Sequence, residues 1–374
     1  MLLTAGAIQV TTSWAAWVNR GPLPQGPLPQ GLPSNCKGPK GGWRRVGSRP
    51  LAMSMSRVES KERRTQNVEG NLFVDESCID CDTCRWMQAD VFGRDQGKSA
   101  VTHQPKSEEE KLGAYRAMVA CPVGSIRLET PEPLVRSALE AFPFPVDTDR
   151  LPGVYHMGFH DKKSFGCTSW LVVREAGNVM VDSPRLNGKL AKALDREGGV
   201  DFMVLSHIDD VGDHQRWKER FPAMVRLMHK GDIQANGDTR NVEMQLDSSN
   251  ADGQIDGMDY WDLGDDLRVL YTPGHTRGSV TLLYQASMGF NDYEGIAFTG
   301  DHLAVSGRTG ALSGFPSYGW NHKLQSESME LLARSDLKFR WILPGHGRMI
   351  RFNDDAERVS QIKVAANNIK AGRP

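Results

Sequence analysis

The stretch Cys78-Ile-Asp-Cys81-Asp-Thr-Cys84, with Cys121-Pro122 thirty-seven residues beyond Cys84, limits this chain more tightly than any other feature. Three thiolates in one tight loop and a fourth from a distance give four soft anionic ligands and leave the loop's amides free to face bridging sulfides. A structural zinc site would pair two C-x-x-C knuckles. Here the third cysteine continues the same turn and the fourth carries a Cys-Pro ending, so the spacing predicts a 4Fe-4S cluster on Cys78, Cys81, Cys84 and Cys121. About sixty residues make only a thin core, which a metal centre staples. Of the two remaining cysteines, Cys36 lies in a leader-like segment and Cys167 precedes a strand, where it reads as a small buried thiol. Disulfides are not expected.

Residues 1–58 hold seven Lys or Arg and no acid, and contain the run GPLPQGPLPQGLP. Such a segment cannot bury a core and reads as an organellar transit peptide, plastid by its Pro/Gly content, with mitochondrion as the alternative. The rest carries 38 basic against 46 acidic residues, a net -8, which lacks the basic footprint of a nucleic-acid binder. No apolar run approaches the length of a membrane span. Residues 59–70 read as a linker, 71–129 as the cluster domain, the proline-rich 130–152 as a second linker, and 153–374 as a larger domain. In that domain apolar strands such as SWLVV, NVMVDS, FMVLSH, LRVLYTP, SVTLLY, IAFTGD and RWILPGH alternate with helix candidates at 188–197, 214–221, 323–335 and 354–370. The fold class is α+β.

Segment 71–129 resembles a single-cluster bacterial-type ferredoxin, which implies one-electron transfer. Further on, TPGHTRGSV with His275, FTGDHL with Asp301 and ILPGHG with His346 each set a potential ligand beside a glycine at a strand end. With NVMVDS, ending near Asp182, and FMVLSH, ending at His207, they resemble the metallo-β-lactamase superfamily. That resemblance implies an αββα sandwich, a bridging carboxylate at Asp301, metal ligands at His275 and His346, and a bracing role for Asp182.

The departure lies in the usual H-x-H-x-D-H loop, which is SHIDDVGDH in this sequence. Read without a gap, His207 keeps the first position, Asp209 stands for the second histidine, and Val211 and Gly212 replace the Asp-His pair. Read with two extra residues, Asp213 and His214 supply that pair and Asp209 or Asp210 a carboxylate. We favour the second, since an Asp-His pair just before a helix is otherwise unexplained, although Asp213 is also an ordinary N-cap. Asp210 or Asp213 would orient a catalytic water. His156, His160 and His302 read as supporting or surface residues, and the aromatics of SGFPSYGWNH as packing against the sandwich.

One or two divalent metals are expected, zinc, iron or manganese, because a carboxylate-rich set suits each. The resemblance points to an enzyme hydrolysing an ester or thioester-type bond of a small-molecule substrate. An alternative is a ferredoxin-coupled di-iron oxidoreductase, since the flavodiiron proteins hold two irons in this fold with a carboxylate in place of the second histidine. A third is a non-catalytic electron-transfer scaffold. A redox partner protein belongs with either cluster-based reading.

Overall fold

The computed structural model describes residues 62–285 and 294–373. The leader at 1–58, with Cys36, falls outside them. Every described residue lies in one compact unit that begins at Lys61. No helix among the described residues is long and apolar enough to cross a membrane.

The cluster domain has four short strands, β1 (Leu72–Val74), β2 (Phe92–Asp95), β3 (Lys98–Val101) and β4 (Ile126–Leu128), and two helices, α1 (Thr83–Met87) and α2 (Glu108–Ala120). β1 pairs antiparallel with β4 and β2 with β3. Helix α2 starts where its sequence dictates. The Ser107 hydroxyl accepts from the Glu110 amide, the Glu110 carboxylate accepts from the Ser107 amide, and three glutamates fill the positive first turn. Its C-cap is Cys121, so the helix end delivers the fourth thiol.

Neither predicted linker is a free tether. Arg64, inside 59–70, sends its guanidinium to the Ser99 and Asp95 carbonyls of the cluster domain. Segment 130–152 forms helix α3 (Leu134–Glu140) and strand β5 (Phe144–Pro145). Two of its prolines sit where no ladder hydrogen bond is lost, Pro133 as the N-cap of α3 and Pro145 on an edge strand.

β5 opens a seven-stranded sheet that continues through β6 (Val154–His156), β7 (Trp170–Val172), β8 (Val179–Val181), β9 (Phe202–Val204), β10 (Val225–His229) and β11 (Met244–Leu246) in simple sequence order. β5 to β8 are antiparallel neighbours and β8 to β11 parallel, with α4 (Gly188–Arg196) and α5 (His214–Arg220) in the first two parallel crossovers. A second seven-stranded sheet has β12 (Gly253–Ile255), β13 (Met258–Asp262), β14 (Leu267–Tyr271), β15 (Val280–Tyr284) and β16 (Ile296–Gly300). After a small hairpin of β17 (Ala304–Val305) and β18 (Leu312–Ser313) and helix α6 (His322–Leu332), it is completed by β19 (Trp341–Pro344) and β20 (Ile350–Arg351). Helix α7 (Asp355–Lys370) ends the described chain.

Alternation along the strands shows how the layers stack. Leu171, Met180, Met203 and Met228 pack with Leu190 and Leu194 of α4 and Trp217 of α5, while Val172, Val179, Val181, Val204 and Leu227 are also buried and point to the other face. In the second sheet Leu270, Leu283, Ala297 and Ile342 pack with α6 and α7, and Val269, Leu282, Phe298 and Leu343 fill the opposite face. Both sheets are therefore covered on both sides. Bonds between the sheets, Trp170 Nε1 to the Pro344 carbonyl at 3.0 Å and the Val280 amide to the Ser206 carbonyl at 2.9 Å, tie the inner faces together. The sandwich is αββα.

Cluster domain and sandwich share one core, in which Leu72, Phe92, Val101 and Tyr115 are continuous with Leu171 and Met180. Across the seam Arg348, two residues past His346, donates to the Asp82 carboxylate in the cysteine loop at 2.9 Å.

Candidate functional site

Cys78, Cys81, Cys84 and Cys121 line one small cavity with Ile79, Val123 and Thr83. The left-handed backbone at Asp80 and Asp82 curls the loop around it, and α1 carries Cys84 inward. Polar groups surround the sulfurs. The Ser125 amide donates to Cys121 Sγ at 3.3 Å, Ser99 Oγ lies 3.2 Å from Cys84 Sγ, and Thr83 Oγ1 lies 3.4 Å from Cys81 Sγ. Burial raises the Cys84 thiol and pushes Cys81 up to about 11. Thiolates in this setting need a bound positive centre, and a cluster with amide and hydroxyl donors around its sulfurs fits the donor set.

The second constellation lies where strands end. β14 and β16 each run antiparallel to β15, and β19 runs parallel to β16, so His275, Asp301 and His346 leave the sheet at one edge. β9 brings His207 to the same edge, followed by a 3-10 turn at Ile208–Asp210. Asp301 Oδ2 is central, 3.8 Å from His207 Nε2, 3.6 Å from His275 Nε2 and 4.0 Å from His346 Nε2. Asp209 Oδ2 is 3.9 Å from His207 Nε2 and 3.7 Å from His275 Nε2. The Asp210 oxygens are 3.8 Å from His207 Nε2 and 3.5 Å from His346 Nε2. These separations are long for hydrogen bonds and suit ligands that share a cation at bonds of about 2.0 to 2.2 Å.

His207 Nε2, both oxygens of Asp210 and Asp301 Oδ1 are buried with no hydrogen-bond partner. Orphaned buried nitrogen and oxygen donors aimed at one space are the arrangement that a bound cation completes. Another contact fixes the ring orientation. His207 Nδ1 lies 2.9 Å from Ser206 Oγ, which leaves its Nε2 facing the centre. Against the cost of burial, Asp301 and Asp210 push His346 up to about 10; His207 and His346 hold Asp210 down to about 2. Burial, then Asp210, raises both the Asp182 carboxyl and the Cys167 thiol well above their ordinary values.

Two bracing aspartates hold the loops. Asp182 accepts from the Ser206 amide at 2.8 Å and from Ser206 Oγ at 3.0 Å. Asp232 accepts from the Ile208 amide at 3.0 Å and the Gly278 amide at 2.8 Å, joining the His207 loop to the His275 loop. Nothing in the sequence singles out Asp232, since the residues it joins are distant along the chain.

Two expected ligands are elsewhere. Asp213 accepts from Lys163 Nζ at 2.8 Å, the Leu186 amide at 2.9 Å and Arg216 Nη1 at 2.8 Å, which occupies its oxygens. It also makes no side-chain cap bond to α5. His214 is buried with Nδ1 3.0 Å from Arg226 Nη1. Neither Asp213 nor His214 joins the His207 cluster, because Gly212, in the left-handed region at φ 43°, turns the chain after Asp210. Asp209 stands where the ungapped reading put it, but its neighbour Asp210 supplies the second carboxylate. Neither register is complete.

His156 and His160 are a buried pair, Nε2 to Nε2 2.8 Å, at the seam with the cluster domain, where His160 Nδ1 lies 3.1 Å from Thr83 Oγ1. Tyr318 and Trp320 are 75% and 51% exposed, so SGFPSYGWNH does not pack these aromatics into the sandwich. The Trp320 amide donates to the His275 carbonyl at 2.8 Å, and the exposed Phe165 ring lies 6.3 Å from His346.

Residues 74–128 match the family model of the 4Fe-4S single cluster domain of Ferredoxin I. No curated protein matches the chain. Among solved structures, the chain is similar to the metallo-β-lactamase FIM-1 from Pseudomonas aeruginosa in its mono-zinc form, with 18% identity over 59% of this chain and 93% of that one, TM-score 0.43. It is also similar to ST1585 from Sulfolobus tokodaii, an archaeal metallo-β-lactamase superfamily protein (22% identity, 52% and 79% coverage, TM-score 0.34). A metallo-β-lactamase from Erythrobacter litoralis gives 16%, 57% and 92%, and 0.42. The sandwich itself has two seven-stranded sheets between helices, with histidines and aspartates at the strand ends of one edge. The chain joins a stretch that matches the 4Fe-4S single cluster domain of Ferredoxin I, residues 74–128, to this αββα sandwich.

Proposed function

We propose that the sandwich is a metal-dependent hydrolase of a small molecule with an ester or thioester-type bond, carrying the cluster as a redox module. The observation that carries this reading is the convergence of three histidines and three aspartates on one edge with orphaned buried ligand atoms. A divalent cation held there supplies Lewis acidity, bringing the pKa of a bound water toward neutrality and polarising a carbonyl. His207, Asp209 and His275 suit one ion; Asp210 and His346 suit a second, with Asp301 between. The Asp210 oxygen not engaged in holding an ion orients the attacking water. Asp209, 64% exposed, reaches from the ligand set toward solvent, where substrate enters. Phe165, Tyr318 and Trp320 give the mouth an apolar rim, and the Arg277 guanidinium, 5.1 Å from the Trp320 ring, provides a positive charge. An acyl compound with an apolar body and an anionic end fits this rim. The leader composition supports a plastid setting, and the cluster supports a redox partner protein.

The test is hydrolysis of a panel of aryl esters and acyl thioesters by cluster-loaded protein reconstituted with zinc or manganese. Metal-dependent turnover that Asp301→Ala abolishes supports the proposal, and metal-loaded protein inert across the panel contradicts it.

One observation favours an oxidoreductase as a second reading. A methyl group on Gly166 would lie 3.3 Å from Cys81 Sγ, so loop 160–167 packs directly on a cluster cysteine while Phe165 of the same loop faces His346. Iron in the sandwich, reduced when the cluster is reduced, supports that reading over hydrolysis.

A further inference from the structure

We propose that Cys167 is a ligand of the second metal ion, completing with Asp210, Asp301 and His346 a site of mixed sulfur, oxygen and nitrogen donors. This rests on the reading that the sandwich holds metal. With Gly212 in the ungapped loop and His214 turned to Arg226, the His207 loop has no imidazole left for a second ion. Cys167 comes from a different direction, the loop before β7, and is 1% exposed. Its Sγ has one hydrogen-bonding carbonyl nearby, that of the adjacent Thr168 at 3.4 Å. The same sulfur lies with oxygens of Asp182 and Asp210 in a group whose atoms are all within 4.8 Å of one another.

Gly345 marks where these donors meet. A Cβ on this residue would be 2.8 Å from Asp210 Oδ2, 3.1 Å from Asp301 Oδ1 and 3.2 Å from Cys167 Sγ. Three donor atoms from three separate loops thus surround one point that carries no side chain, next to His346 in sequence. Asp210 is 1% exposed and both its oxygens lack a partner, so the sulfur is not alone in facing this space. Asp182 is excluded from the ligand set because both its oxygens are taken by Ser206. On ligation the S–H bond breaks, the sulfur–metal bond forms and the proton leaves to solvent, with no change of oxidation state. A thiolate beside imidazole and carboxylate shifts the preference of this ion toward zinc or iron and away from magnesium or calcium.

The experiment is zinc K-edge X-ray absorption on cluster-loaded protein whose sandwich is filled with zinc, so that the iron of the cluster does not contribute. We expect two zinc ions per chain and a zinc–sulfur shell near about 2.3 Å. Cys167→Ser should remove that shell and weaken the second zinc by well over ~100-fold, beyond the roughly 10- to 100-fold that loss of an outer-shell partner costs, with the cluster's EPR signal unchanged. Gly345→Ala, which pushes a methyl among the three donors, should also lose the second zinc. Two bound zincs with no sulfur shell in the wild-type protein would overturn the proposal, as would a shell that survives Cys167→Ser. If the sandwich binds no zinc, this proposal falls, and if it binds no manganese either, the hydrolase reading falls with it.

Discussion

Asp210 has two fully buried oxygens with no hydrogen-bond partner, each facing a histidine. Such a group is costly unless a cation completes it. Asp210→Asn should therefore reduce the metal content of the sandwich from two ions to one, measured by elemental analysis of cluster-loaded protein. His214 has a different task. Burial and the neighbouring Arg226 hold its pKa down to about 4. A depressed histidine binds fewer protons folded than unfolded, so its contribution is present above the unfolded value near 6.5 and is lost as pH falls toward 4. His214→Gln should leave metal content unchanged and flatten the pH dependence of stability between those values, as read by denaturant titration. His207, His275, Asp301 and His346 were legible in the sequence because each sits beside a strand signal. The Asp213-His214 pair misled because sequence order does not reveal which way a turn points its side chains. Gly212 and the Lys163 and Leu186 partners decided that.

Helix α7 shows an element held by a residue that a hydrophobic pattern overlooks. The sequence places Val359, Ile362, Ala366 and Ile369 on one face, and the structure buries the last three with Ala365, leaving Val359 half-buried. The fully buried residue beside it is Arg358, whose guanidinium donates to the Leu332 carbonyl at 2.7 Å and the Arg334 carbonyl at 3.0 Å, and lies 4.5 Å from the Phe339 ring. It satisfies carbonyls at the C-terminal end of α6 that no helical amide reaches. Replacing it by Met keeps the packing stem and removes the donors, so Arg358→Met should cost about 3 to 6 kcal/mol for two bonds from a charged group. Urea unfolding of the cluster-loaded protein measures it, with the change in midpoint and not in slope. Strands and helices were broadly legible from their apolar periods. The segment 130–152 was not, because its prolines signal a break whether the chain leaves the fold or, as with β5, forms its edge.

At the scale of the whole molecule the cluster site and the proposed metal site of the sandwich are separate in their side chains yet joined in structure. Cysteines line one and strand-end histidines and aspartates the other, while a shared apolar core and the Arg348–Asp82 pair fasten the domains. The cysteine spacing made the cluster legible, but the seam was hidden, since its contacts join residues far apart in the chain, Thr83 to His160 and Asp82 to Arg348. Removing the Arg348 guanidinium with Arg348→Met should leave both metal contents intact and shift the cluster's reduction potential, because a positive charge is lost beside the cysteine loop; protein-film voltammetry reads this. The central claim is that two independent metal centres share one chain. The direct measurement is iron and total metal content, with Mössbauer spectroscopy, of anaerobically purified wild-type protein and of Asp301→Asn. A 4Fe-4S cluster with up to two further ions is expected in the wild type, and in the variant loss of those ions with the cluster spectrum unchanged. Loss of cluster and sandwich metal together, or a wild-type protein with no metal beyond the cluster, would contradict the central claim.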